Sequence, residues 1–419
     1  MAPKASAASP AASEPVTPPG TVVTAYTLPP KLYRKARDLG RIFFAFDVIA
    51  GLYGLLILWL VLHGRFAPKY REWAERISAK RVAQAVVFAP LLLLTVDVFG
   101  LPVGIFEHWE LRRYGLSVQG WASWSADWAK QEILALIAGT IFVAILYAII
   151  RKCPRRWWLY YWLAVLPIAT FLIFLQPLVV DPLFHKFEPL QQKDPALTVA
   201  LEKMVHHAGQ GIPPSRMYWM GASEKSTELN AYVTGIGSSK RIVVWDTTIA
   251  KMTTPQIVFV VGHETGHYVL HHIPKGAAIL AGGLLVVFYL GYLCIGWMLR
   301  RWGEGWKIRG VDDWASLPGL LLLLGIFSFI GNPVANAVSR HFEHQADQYG
   351  LEVTHGLTSD SGEVAAQSFQ TLGIVDLADP KPSRLDVFLT YDHPSIPARI
   401  RFALKYDPWA NGGRGEFVH

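Results

Sequence analysis

Six stretches of this chain, residues 42–63, 82–106, 133–150, 157–180, 276–299 and 317–338, approach or exceed the ~20 apolar residues a helix needs to cross a bilayer. A backbone placed in hydrocarbon must satisfy its own hydrogen bonds, so such runs fold as helices whatever else the chain does. Only 17% of residues are charged while 52% are hydrophobic, and the runs hold few internal charges, which excludes a soluble protein with buried helices. Asp47 and Asp97 are exceptions, and a carboxylate within a span faces a cavity or a partner. The net charge of +7 calls for no nucleic-acid partner, because Lys and Arg crowd the ends of the spans. They crowd both faces alike, so charge does not orient the protein. Two cysteines, Cys153 and Cys294, support neither a disulfide framework nor a cysteine metal site.

These runs divide the sequence. Residues 1–30, rich in Ala, Ser, Pro and Thr, read as a disordered tail. Residues 31–180 form an N-terminal membrane region of four spans, 181–275 a first polar part, 276–338 two further spans, and 339–419 a second polar part. Within the first polar part, 194–210 reads as a helix with Leu197, Leu201, Met204 and Val205 on one stripe. Residues 216–220 read as a strand, and 229–235 with 240–246 as a hairpin around a Gly/Ser-rich turn. A strand carrying Asn230, Ala231 and Tyr232 at a sheet edge would hold an extended peptide by backbone hydrogen bonds; an ordinary structural hairpin reads the same way.

Residues 253–272 follow as one expected helix, with Thr254 as cap, Pro255 in the first turn and Pro274 as stop. It contains H-E-x-x-H. His263 and His267, four apart, share a helix face and can share a zinc ion, while Glu264 beside that face can take a proton from water activated by the metal. A hydrolytic zinc needs a third protein ligand and an open position. On the helix that continues from the last span, Glu343 can supply it, with Asp347 one turn on to orient a ligand histidine. His341 and His344 on the same helix are rivals pointing to other faces.

The set Asn336, Ser339, Arg340, Glu343, Ala346 and Asp347, together with H-E-x-x-H, the Asn230-Ala231-Tyr232 strand and Lys240-Arg241-Ile242-Val243, resembles the integral-membrane zinc peptidases typified by the type I CAAX prenyl endopeptidase. The likeness extends from about Tyr26 to Arg401, through Asp181-Pro182-Leu183-Phe184 and Phe187-Glu188-Pro189-Leu190. It implies a mainly α, polytopic helical membrane protein enclosing a chamber, with a small α/β zinc-peptidase unit split by the fifth span. Six spans are read here where the eukaryotic relatives have seven.

The resemblance further implies one zinc held by His263, His267 and Glu343, catalysis by Glu264, and surrounding roles for Asp347, Asn336 and Arg340. The segment from Tyr391 to Ile400 is similar to the family's H-P-x-x-x-x-R segment, so His393 and Arg399 would donate to the oxyanion of a tetrahedral intermediate. The substrate would be a peptide or protein, lipidated in the CAAX case, met among membrane lipids, with the catalytic side cytoplasmic. A quality-control protease for membrane proteins would carry the same centre. A transporter or scaffold with structural zinc would need a fourth protein ligand, and no cysteine lies near either metal helix to supply one.

Overall fold

The computed structural model describes residues 15–235 and 237–418. The membrane half begins with α1 (Pro30–His63), α2 (Phe66–Ile77), α3 (Arg81–Tyr114), α4 (Trp121–Lys152) and α5 (Trp157–Leu175). There follow α6 (Asp181–Phe184), β1 (Phe187–Pro189), α7 (Leu190–Lys193), α8 (Pro195–His207), β2 (Met217–Met220), β3 (Ala231–Thr234), β4 (Arg241–Trp245) and α9 (Asp246–Lys251). The chain closes with α10 (Thr254–Val269), α11 (His272–Trp302), α12 (Leu317–Thr354), α13 (Ser361–Val375), α14 (Arg384–Leu389) and α15 (Ile396–Ala403).

Among the described residues, five helices are long and apolar enough to cross a membrane: α1, α3, α4, α11 and the helix running through α12. The expected sixth span, 157–180, is helical throughout. It is the 19-residue α5 followed by a π-helical turn, Gln176–Val180. Pro177 has no N–H and its ring crowds the carbonyl one turn back, so the regular ladder opens into a wider turn there. Where the bundle closes on itself, Phe88, Leu92, Tyr147, Ile150 and Trp314 are buried together.

The polar unit carries a four-stranded sheet ordered β1-β2-β4-β3. β2 and β4 run parallel with Met217 opposite Ile242, and β3 returns antiparallel with Ala231 opposite Val244. The expected hairpin is therefore present, and its first strand lies at the sheet edge. The predicted stripe of α8, Leu197, Leu201, Met204 and Val205, is buried with Ile242, Val244, Ile257 and Val261. Asp194 caps α8 by accepting from Leu197 N–H at 2.9 Å.

Two sequence-based expectations need correction. The tail assigned to residues 1–30 lies outside the described residues as far as 14, but from Val16 the chain is fixed against the polar unit. Val16 N–H donates to Lys251 O, Gln256 Nε2 to Thr17 O, Gln367 Nε2 to Thr21 O, and Tyr26 hydroxyl to Gly373 O at 2.6 Å. Low hydrophobicity suggested disorder, yet the amides of α10 and α13 pair this backbone instead. The second correction is the helix expected over 253–272, which ends at Val269. Its cap is Thr253, whose N–H donates to Gln256 Oε1 at 3.0 Å. Pro274 would clash with the carbonyl of Leu270 in a continuous helix, so the chain breaks before it.

α10 and α12 pack closely because glycines face each other's helix. A Cβ on Gly350 would stand 3.2 Å from His263 N and 3.3 Å from its Cα, and one on Gly266 3.0 Å from Tyr349 Cβ. Gly350→Ala should therefore push the helices apart and destabilise the protein by about 1–3 kcal/mol. Gly331→Ala, on the same helix with nothing within 4 Å, should be neutral or stabilising. Thermal unfolding of both variants checks this.

Candidate active site

The α10–α12 contact brings together the three residues expected to hold a metal. His263 Nε2 stands 3.3 Å from His267 Nε2 and 3.2 Å from Glu343 Oε2, and His267 Nε2 is 3.5 Å from Glu343 Oε1. Three nitrogen and oxygen ligands set tetrahedrally at ~2.0–2.1 Å around one ion are about 3.3 Å apart, so the spacing fits. Glu343 Oε2 supports that fit, since it is buried and no donor is aligned on it among the described residues. The rivals stand elsewhere: His344 packs its ring on Phe402 at 4.2 Å, and His341 lies beside Phe342.

Asp347 is buried one turn beyond Glu343, with Oδ1 2.9 Å from His263 Nδ1. Its other partner is Arg399 on α15, which donates from Nε to Oδ2 at 2.9 Å and from Nη2 to Oδ1 at 2.5 Å. Arg399 thus has a partner beyond the oxyanion role expected for it, while it also lines the cavity beside Glu264. Two of its donors hold Asp347, so the guanidinium stands behind His263 as the counter-charge that makes the buried carboxylate tolerable. Asn336 and Arg340 act differently from the expectation that they surround the metal. Asn336 Nδ2 donates to Leu389 O at 2.8 Å, and Arg340 Nη1 to Val387 O at 2.9 Å and to Tyr391 O. They clamp the segment that delivers His393.

His393 Nε2 stands 3.2 Å from Glu343 Oε2, while its Nδ1 is 2.8 Å from Asp392 Oδ1. Asp392 was missed in the sequence, although a carboxylate directly before a candidate histidine was the available signal. A cavity of about 150 Å³ is lined by Asn230, Ala231, His263, Glu264, His393 and Arg399 among others. Tyr232 lies apart from it. Strand alternation turns its ring to the opposite face, against Met220 and Val243. Asn230 N–H donates to the Thr248 hydroxyl at 2.8 Å and its carbonyl accepts from Trp245 N–H, fixing the strand entry.

Electrostatics separate the two histidines. Burial disfavours charge on His263, but the carboxylates of Asp347 and Glu343 outweigh it and carry the imidazole up to about 10. Burial, then the neighbouring His263, pushes His267 down to about 4. Burial also raises Glu264 above the ordinary carboxylate value.

A His-His-Glu face beside a half-buried glutamate and an open cavity is the site of a metal-dependent hydrolase. Residues 191–407 match Peptidase family M48, and residues 15–186 match the family described as CAAX prenyl protease N-terminal, five membrane helices. The chain belongs to peptidase family M48. It is 36% identical to an uncharacterized metalloprotease, YhfN, of Bacillus subtilis, over 83% of this chain and 80% of that one. It is 27% identical to CAAX prenyl protease 1 of Saccharomyces cerevisiae, over 89% and 86% respectively. Its fold matches the crystal structure of S. mikatae Ste24p with a TM-score of 0.76 at 23% identity, covering 90% of this chain and 89% of that one.

Two outcomes follow. At pH 7 the metal-free protein holds a proton on His263 that a metal must displace, so binding should release about one proton. Calorimetry in buffers of different ionisation heat should show this release falling away above pH 10, where His263 is already neutral. Arg399→Met takes two donors from buried Asp347 and leaves it His263 as cationic partner, and should cost at most about 3–5 kcal/mol in unfolding free energy. His393→Ala, at a half-exposed position, should cost far less in the same measurement.

Proposed function

We propose that the protein is a zinc-dependent membrane endopeptidase of the CAAX type, hydrolysing a peptide bond close to the C-terminus of a lipidated peptide or protein. The observation that carries this reading is the convergence of His263, His267 and Glu343 at 3.2–3.5 Å beside Glu264, on helices joined to membrane spans. Zinc is the metal that best suits two imidazoles, one carboxylate and an open position, and it supplies Lewis acidity that polarises a carbonyl and makes hydroxide available near neutrality.

The remaining steps belong to side chains. Glu264 takes the proton from the attacking water and returns it to the departing amine. The exposed edge of β3 pairs with the substrate backbone, with Asn230 and Ala231 at the cavity. His393 faces the same cavity from the other side and donates to the developing oxyanion, its ring held by Asp392. The name of the Saccharomyces cerevisiae relative, CAAX prenyl protease 1, favours a prenylated substrate. By the same likeness the catalytic side faces the cytoplasm. The spans would enclose a chamber into which the site opens, and the lipid part of a substrate would stay in contact with the bilayer.

Glu264→Ala should retain about one zinc per chain and lose hydrolysis, because the residue moves protons and does not hold the metal. Metal analysis beside a peptidase assay decides it, and a folded, zinc-free variant would make Glu264 a ligand. His393→Ala should lower kcat by ~10²–10³ with zinc content unchanged. Cleavage of a farnesylated peptide compared with its unmodified twin tests the substrate class; equal rates would favour a general protease of membrane proteins.

A further inference from the structure

His272 belongs to none of the motifs above, yet it touches the metal face. α10 ends at Val269 and α11 begins at His272, and between them His271 adopts a left-handed conformation with φ of 59°. That conformation is uncommon for a residue with a Cβ. It turns the chain so that the first side chain of α11 folds back over the last turn of α10. His272 is buried, at 4% exposure. Its Nδ1 stands 3.1 Å from Nδ1 of His267, and its Nε2 stands 3.0 Å from Gln345 Oε1. Its ring lies flat on Phe342, with centroids 4.5 Å apart and planes at 9°.

The protons along this row are fixed by what each atom can do. His267 turns Nε2 towards His263 and Glu343, so a metal there needs the Nε2 lone pair free and the proton on Nδ1. His267 Nδ1–H then donates to His272 Nδ1, which must be the bare nitrogen of a neutral ring. The proton of His272 is therefore on Nε2, and Gln345 must present its oxygen to accept it. The reverse order would begin with the Gln345 amide as donor and end with a proton on His267 Nε2, in the metal's place.

We propose that His272 is a positioning residue for the metal ligand His267, setting its tautomer and ring orientation through an imidazole–imidazole hydrogen bond anchored by Gln345. It occupies for His267 the place that the Asp347 carboxylate occupies for His263. Partners of this kind on ligand histidines are worth 10–100-fold in metal affinity, in general terms. Gln345 and Phe342 lie on the same helix as Glu343, so His272 also ties the start of α11 to the helix bearing the third ligand. The inference rests on His267 being a ligand, as proposed above.

The test uses the full-length protein in detergent, with zinc affinity read by competition against a chromophoric chelator and ligand geometry read from the cobalt(II)-substituted absorption spectrum. His272→Phe keeps the ring stack on Phe342 and removes the acceptor; His272→Asn keeps an acceptor at the Nδ1 position. The phenylalanine variant should bind zinc ~10–100-fold more weakly and show an altered cobalt spectrum, with the metal-free melting temperature near wild type. The asparagine variant should recover most of the affinity. Wild-type affinity in His272→Phe, or equal losses in both variants, would overturn the proposal. Should His272→Phe fail to fold, Gln345→Leu replaces it: weakened zinc binding supports the row of protons, and unchanged binding overturns it. His267→Ala is the control, since zinc retained there would remove the metal-site reading itself.

Discussion

The close approach of α10 and α12 is the constraint on which the rest of the site depends. The first carries two histidines and the second the glutamate, and no local sequence relation joins them. What joins them is a contact in which Gly350 lies against the backbone of His263 and Gly266 against the side chain of Tyr349, so that neither position has room for a Cβ. Around this contact Ile257, Val261, Tyr349 and Val353 are buried together. Packing at interior density tolerates little displacement, and ligands held 3.2–3.5 Å apart tolerate less. Fixing the helices by close backbone contact is therefore also a means of fixing the metal geometry.

Bringing Asp347 into this packed region creates a charge problem that α15 resolves. An unpaired carboxylate at that depth would be strongly destabilising. Arg399 meets it with two donors from one side and His263 from the other, so the ion pair and the ligand share one oxygen, Oδ1. The C-terminal segment is thus part of the metal site even though most of it never faces the cavity. Asn336 and Arg340 extend the same logic by holding backbone carbonyls of residues 387–391, which places His393 opposite the edge strand. Five chain segments contribute: β3, α10, α12, α15 and the turn before α15.

The membrane half is not a detachable anchor. α12 runs from Leu317 through its apolar stretch to Thr354 without interruption, so the helix that lies in the bilayer is also the one that carries Glu343 and Asp347. α1 packs against α12, and the extended chain before α1 is bound by the amides of Gln256, Gln367 and Gln370. The chain's first described residues therefore lie against both α10 and α13.

The sequence by itself determined what depends on neighbours along the chain. Long apolar runs must be helical in hydrocarbon. A four-residue spacing puts His263 and His267 on one face and Glu343 and Asp347 on another, because 3.6 residues make a turn. The alternation around Asn230 and the Gly/Ser turn specify a hairpin. Tertiary structure alone decided which partners these groups meet. Nothing local to Arg399 shows that α15 carries it to Asp347, and nothing local to Tyr232 shows that its ring packs on Met220 and Val243. The polar stretch before Tyr26 reads as disordered because nothing local satisfies it; glutamines on α10 and α13, more than two hundred residues away in sequence, supply the hydrogen bonds. The physical reason is the same in each case. Helix and strand periodicity is enforced by bonds within a few residues, whereas the partner of a buried charge or an unpaired backbone group is chosen by packing between segments whose distance in sequence carries no signal.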